Sequence, residues 1–197
     1  MEKRVAQVHR KTGETDISME LNLDGSGKAE LSTGIGFFDH MMDAFTRHGL
    51  FDMTLKAEGD LHVDGHHTVE DTGIVLGQAI REAVGDKKGI KRYGFFILPM
   101  DEALILCAVD LCGRPYFVME GAPIQAPMVG DFDTELVREF FYSVSYSAAM
   151  NLHFRILSGT NAHHIIEGMF KCFSKALDMA TQKEERITDV LSTKGSL

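Results

Sequence analysis

Apolar residues alternate with polar ones through "ETDISMELNLDGSG", where Ile17, Met19, Leu21 and Leu23 fall on one side before a glycine turn. A period of two predicts a half-buried strand. A second alternating stretch, "EALILCAVDLCGRP", sets Leu104, Leu106, Ala108 and Asp110 on one parity and Ile105, Cys107, Val109 and Leu111 on the other. It predicts another strand, more buried than the first. The two align without a gap, because Glu14 stands as far before Gly25 as Glu102 stands before Gly113. The spacing then becomes helical. Phe37, Met41, Phe45 and His48 share a face in "FFDHMMDAFTRHG", as do Leu136, Phe140, Val144 and Ser147 in "LVREFFYSVSYSAAM". An apolar strand follows each helix, "LFDMTLKA" and "NLHFRILS", and after each strand comes a pair of histidines.

Asp64 lies three residues before His67, and Asn161 three before His164. Both residue types cap helices well, so each histidine pair is predicted to open a helix, over "HHTVEDTGIVLGQAIREAVG" and "HHIIEGMFKCFSKALDMAT". The chain is therefore an internal repeat of α+β class. It has duplicated β-β-α-β-α half-domains, each a small mixed sheet with two helices on one face. There is room for an extra strand at "GKAELST" and at "YFVME". The halves divide as 1–92 and 93–197, the second carrying the C-terminal tail. No Pro-, Ser- or charge-rich linker separates them, so they are expected to pack as one domain. The final "TKGSL" reads as an ordered tail or loop.

Composition narrows the function. A chain of 197 residues, 44% of them hydrophobic, can bury a core without staples. A net charge of −9 argues against a nucleic-acid partner, whose affinity depends on neutralising phosphates. It still allows a small phosphorylated ligand served by a local basic cluster. No apolar run reaches the length of a membrane span, and the N-terminal stretch lacks a signal-type apolar segment. Cys107, Cys112 and Cys172 are odd in number and show no metal-type spacing. They read as reduced thiols of a cytoplasmic protein.

The candidate chemistry lies in "HHTVED" and "HHIIEG". Residues i and i+4 of a helix share a face. His66 with Glu70, and His163 with Glu167, are thus two-donor platforms for a divalent metal. Imidazole with carboxylate suits Mn, Fe or Zn better than Ca. His67 and His164 point about 100° away from their neighbours, and could serve an ion held by the other unit. A single unit reads equally well as solvated histidines at a helix start. Repetition in register with a strand and a helix favours metal. The preceding helices offer His40 and Glu139. The expected sites are His40, His66, Glu70 and His164 in one, and Glu139, His163, Glu167 and His67 in the other. His9, His62 and His153 read as surface or strand residues, while His48 ends a helix, where it can cap or touch substrate.

An ordered series of motifs accompanies these units: "RKTGET", "GFFDHMMD", "HHTVEDTGI", "KRYG", "PMDEAL", "DLCGRPY", "GTNAHHIIEGMFK" and "STKG". Over essentially its whole length the chain resembles the imidazoleglycerol-phosphate dehydratases of histidine biosynthesis. The resemblance implies a monofunctional lyase that removes water from D-erythro-imidazole glycerol phosphate to give imidazole acetol phosphate. It implies two Mn ions per active site, sites shared between subunits, and a shell of 24 subunits. In that chemistry the metals hold the imidazole as an imidazolate, whose electrons expel the neighbouring hydroxyl and acidify the next C–H. Glu14 is the candidate base, with Asp101 and Glu102 behind it. Arg92, Arg114, Lys171, Ser192 and Lys194 match the phosphate-binding positions. Three positions depart from the family pattern: Glu139 where many members carry His, Cys112 where Ser is usual, and Leu191 where Pro is usual. The rival classes are another dinuclear hydrolase or oxygenase, and a metal-storage shell. Storage bundles carry Glu-x-x-His on long helices, the reverse of the order here.

Overall fold

The computed structural model describes residues 4–197. The first half runs β1 (Val5–Lys11), β2 (Thr15–Asn22), β3 (Lys28–Ser32), α1 (Gly36–Gly49), β4 (Asp52–Gly59) and α2 (His66–Val84). The second runs β5 (Tyr93–Met100), β6 (Ala103–Asp110), β7 (Tyr116–Gly121), β8 (Met128–Val129), β9 (Phe132–Asp133), α3 (Leu136–Ala148), β10 (Asn151–Ser158) and α4 (Ala162–Thr181). The sheet orders are β1-β2-β4-β3 and β5-β6-β10-β7, the same topology twice. Each four-stranded sheet thus takes three strands from the segment before its half's first helix, one more than the β-β-α-β-α plan, at the stretches where there was room for one. The additional strands are the stretches at "GKAELST" and "YFVME". Both are edge strands that pair in parallel with the strand after the helix, β3 with β4 and β7 with β10. An edge strand buries little, so its alternation is faint: β3 has no buried residue.

The alternating strands form as their pattern requires. Ile17, Met19 and Leu21 are buried on β2, and Ile105, Cys107 and Val109 on β6. Leu104, Leu106 and Ala108 are half-buried, so β6 is the more covered of the two. Helix α1 buries Phe38, Met41, Met42 and Phe45, a stripe turned one residue from the expected face; Phe37 is half-buried and His48 exposed. The β8–β9 hairpin, which has no counterpart in the first half, packs against the start of α1 and touches both Phe37 and Phe38. Its Phe132 stacks on Phe38 with centroids 6.0 Å apart, and its Asp131 accepts the Gly36 N–H at 3.2 Å.

Four helices lie between the two sheets. Helices α1 and α2 cover the first sheet and α3 and α4 the second, while α2 packs on α3 and α1 on α4. One apolar cluster therefore runs through both halves. Phenyl rings fill it across the helix pairs, as with Phe45 and Phe173 at 5.5 Å and Phe38 and Phe140 at 5.3 Å. Cys107, Cys112 and Cys172 are unpaired and buried. Burial raises the Cys107 thiol pKa and pushes that of Cys172 up to about 12.

The crossing of α2 and α3 depends on two glycines. A Cβ on Gly77 would lie 2.6 Å from both the Val144 carbonyl oxygen and the Ser147 Cβ, and one on Gly73 would lie 2.7 Å from the Phe140 carbonyl oxygen. These contacts are to backbone oxygens and a Cβ, and cannot be relieved by turning a side chain. Glycine within a helix costs about 1 kcal/mol relative to alanine, so the close approach is kept against local propensity. Gly77→Ala should therefore lower stability despite its better helix propensity. A net loss of about 1–3 kcal/mol is expected from overpacking, read as a fall of several degrees in the thermal midpoint. An unchanged or raised midpoint would show that the helices can separate freely.

Candidate metal centre

The two histidine pairs open their helices by different caps. Asn161 is the N-cap of α4, and its side chain accepts the His163 N–H at 2.9 Å and the His164 N–H at 3.3 Å. In the first half Gly65 occupies the N-cap position, correcting the expectation for Asp64. Asp64 sits one residue earlier and accepts the His66 N–H at 2.8 Å, so it closes a turn into the helix.

His40, His163 and Glu167 converge so that one donor atom from each lies within 4.8 Å of the others. His163 Nε2 is 3.0 Å and His40 Nε2 3.4 Å from the same Glu167 oxygen. The edge of Phe37 supports the His163 ring, with centroids 5.1 Å apart. Glu167 is buried. Burial opposes its charge, but hydrogen bonds from Lys171 and His163 prevail and hold its pKa below the ordinary carboxylate value. Lys171 Nζ lies 2.6 Å from the other Glu167 oxygen.

This grouping corrects the expected one. His40 joins His163 and Glu167, not His66 and Glu70, because α1 packs against α4. By the same duplication Glu139, on α3, belongs beside α2. It lines a cleft of about 640 Å³ together with Asp64, His66, Asp131 and Leu136. His66 Nε2 is 3.5 Å from Glu70, completing the i,i+4 platform of that side. Within one chain, helix packing across the halves sets this grouping.

His67 and His164 stand apart from the convergent cluster, as their helical angle predicted. Each is held through Nδ1 by a carboxylate: His67 by Asp60 at 3.0 Å, His164 by Glu102 at 2.7 Å. These hydrogen bonds are the main cause of a raised pKa on both histidines. Glu102 is lowered to about 2, first by His164 and then by the N–H groups of Asn161 and Thr160. Glu14 Oε1 is 3.8 Å from His67 Nε2, and Asp101 Oδ2 is 3.7 Å from His164 Nε2. Asp60 was missed by the sequence argument. The available signal was a carboxylate in the loop that leads into the first histidine pair.

The basic residues fall into two groups. Lys171 and His48 meet at the α1–α4 face, where burial, then Lys171 and Lys175, lower the His48 pKa. Arg92 is committed elsewhere. Its guanidinium donates to Asp110 at 2.7 and 3.1 Å and to the Leu191 carbonyl at 2.7 Å, and its backbone adopts φ 69°. Ser192 Oγ accepts the Lys194 N–H at 3.2 Å. The Arg114 and Lys194 side chains form no ion pair among the described residues.

A family model described as imidazoleglycerol-phosphate dehydratase matches residues 33–177. The chain belongs to the imidazoleglycerol-phosphate dehydratase family. It is 61% identical to the imidazoleglycerol-phosphate dehydratase of Lachnoclostridium phytofermentans, over 98% of each chain. Identity to that of Acetivibrio thermocellus is 58%, over 98% of this chain and 99% of the relative. The crystal structure of the Staphylococcus aureus dehydratase superposes with a TM-score of 0.82 at 39% identity, covering 91% of this chain and 99% of that one. The enzyme is thus a hydro-lyase of histidine biosynthesis, and its two-sheet, four-helix fold is the family's.

Arg92 ties the C-terminal segment to the body, alongside bridges of Lys88 to Val190 and Ile90 to Lys183. Arg92→Ala should release that segment while leaving the helices intact. Carboxypeptidase digestion followed by intact mass should show faster loss of the "STKGSL" end, with unchanged circular dichroism. Equal trimming rates would mean that the bridges alone hold the tail.

Proposed function

We propose that the enzyme converts D-erythro-imidazole glycerol phosphate to imidazole acetol phosphate and water at a dinuclear metal site. The observation that carries this is the convergence of His40, His163 and Glu167; in the other half His66 and Glu70 form the i,i+4 pair, and Glu139 lines the same cleft as His66. Two neutral nitrogens and a carboxylate fit a divalent ion of the Mn, Fe or Zn type, and leave positions open for substrate. Held by these residues, two such ions, Mn in this proposal, would supply Lewis acidity toward the substrate's imidazole ring. The chain's own residues do the rest. Glu14 is exposed, makes no side-chain hydrogen bond among the described residues, and faces His67, so its carboxylate can accept the C–H proton. Arg114 and Lys194, with Ser192, take the phosphate; Lys171 and His48 lie on the side of the convergent cluster.

His67 and His164 complete the ligand sets of other copies, in a homo-24-mer. Two features support shared sites. Both imidazoles are anchored at Nδ1, which leaves Nε2 directed away from the anchor. The duplicated sheets also differ on their outward faces. The first presents Gln7, Lys11, Glu20, Lys56 and Glu58, whereas the second presents Tyr93, Phe95, Ile97, Leu106 and Tyr116. Of these, Phe95 is 63% and Tyr116 60% exposed. An apolar sheet face of this kind marks an interaction surface.

Glu14→Gln retains shape but cannot take a proton. Turnover should fall by roughly 10²-fold or more, with metal content unchanged; near-normal turnover removes Glu14 as the base. Metal removal tests the shared sites separately. EDTA treatment should shrink the particle in light scattering, and Mn(II) should restore both size and activity. A constant mass after verified metal loss would show that the metals do not hold copies together.

A further inference from the structure

The duplication assigns the same task to different carboxylates in its two halves, and one carboxylate is left over. Glu14 and Glu102 are counterparts, each immediately preceding its half's second strand, β2 or β6. In the second half Glu102 anchors the outward histidine, with Oε2 2.7 Å from His164 Nδ1. Its other oxygen, Oε1, accepts the Asn161 N–H at 2.7 Å and the Thr160 N–H at 3.1 Å. Both oxygens thus accept hydrogen bonds, and the carboxylate is fixed on both sides.

The first half does not repeat this. Asp60, the residue after β4, lies 3.0 Å from His67 Nδ1. The residue after β10 is Gly159, which has no side chain to do the same. The loop from β4 also reaches its histidine pair two residues later than the loop from β10. That extra length lets its first residue lie beside the second histidine. Glu14 is then relieved of the anchoring task and approaches His67 only at 3.8 Å, on the Nε2 side.

We propose that Asp60 and Glu102 are positioning residues that hold His67 and His164 in the Nδ1–H tautomer, and that Asp60 thereby frees Glu14 for proton transfer. An imidazole that donates Nδ1–H to a carboxylate presents its Nε2 lone pair, the form a divalent cation requires. The inference rests on the metal-dependent function above and adds a division of labour among three carboxylates. It also removes Glu102 from the candidates for the base, since a carboxylate accepting this many hydrogen bonds has little capacity left for a substrate proton.

The test is a Mn(II) titration of the full-length protein, followed by the electron paramagnetic resonance signal of free Mn(II). Asp60→Ala should weaken one class of site by about 10- to 100-fold, the usual cost of losing a histidine's anchoring partner. Asp60→Asn should bind nearly as wild type, because its amide can turn to offer oxygen to Nδ1–H. Glu102→Gln should behave in the opposite way. The Asn161 and Thr160 N–H groups hold the amide oxygen, so the NH2 group is forced onto His164 Nδ1 and the wrong tautomer results. Its Mn(II) affinity should fall as far as that of Asp60→Ala. Glu14→Gln should keep wild-type Mn(II) affinity while losing turnover. Wild-type affinity in folded Asp60→Ala or in Glu102→Gln overturns the proposal, as does a Glu14→Gln variant that loses Mn(II) as strongly as Asp60→Ala. Should Asp60→Ala fail to fold, the isosteric Glu102→Gln decides alone. A wild-type protein that takes up no Mn(II) refutes the metal-dependent function itself, which separates the two failures.

Discussion

The contact of α2 with α3 at Gly73 and Gly77 is the constraint from which the site follows. With no Cβ at these positions the two helices approach backbone to backbone, and the N-terminal turn of α2 comes level with that of α3. His66 therefore lines one cleft with Glu139, although 73 positions of chain separate the two. The α1–α4 contact performs the corresponding task for His40, His163 and Glu167, here through stacked rings such as Phe45 on Phe173. The His40–His163–Glu167 group and the cleft shared by His66 and Glu139 are thus both assembled between halves rather than within one.

A duplicated chain solves its folding problem twice with one plan and then differentiates at the surface. The two sheets have the same strand order and the same pairing directions. Their helices even stop alike, Leu50 and Ala149 both adopting the left-handed conformation after α1 and α3. Inward positions are held to this plan by a shared core, where a change of volume is felt by every neighbour. Outward positions carry no such constraint. The first sheet's outward face is mostly polar, whereas the second exposes Tyr93, Phe95, Ile97 and Tyr116 beside the Arg155–Glu120 pair. A hairpin was added before α3, and a longer loop before α2.

The same freedom explains the carboxylates. Position 102 and position 14 began as equivalents in the fold, and their environments now differ. One is bound by backbone N–H groups and an imidazole. The other stands in solvent beside a histidine that Asp60 already holds. Net charge does not describe this site well: although the chain carries −9 overall, Lys171, Lys175 and His48 form a local group of cationic and titratable side chains at the α1–α4 face.

The sequence by itself determined the repeat, the strand and helix order apart from the β8–β9 hairpin, the helical start at each histidine pair, and the family. Each depends on spacing along the chain: period two, helical period, the i,i+4 rule and an ordered series of motifs. Tertiary structure decided what depends on contact between segments distant in sequence. It paired α1 with α4 and α2 with α3, which exchanged His40 and Glu139 between the expected sites. It buried Phe38 between Phe132 and Phe140, engaged Arg92 with Asp110 and Leu191, and brought Asp60 to His67. Periodicity says which face a residue occupies on its own element. It carries no information on which other element meets that face, because that choice is made by packing, and here by two glycines.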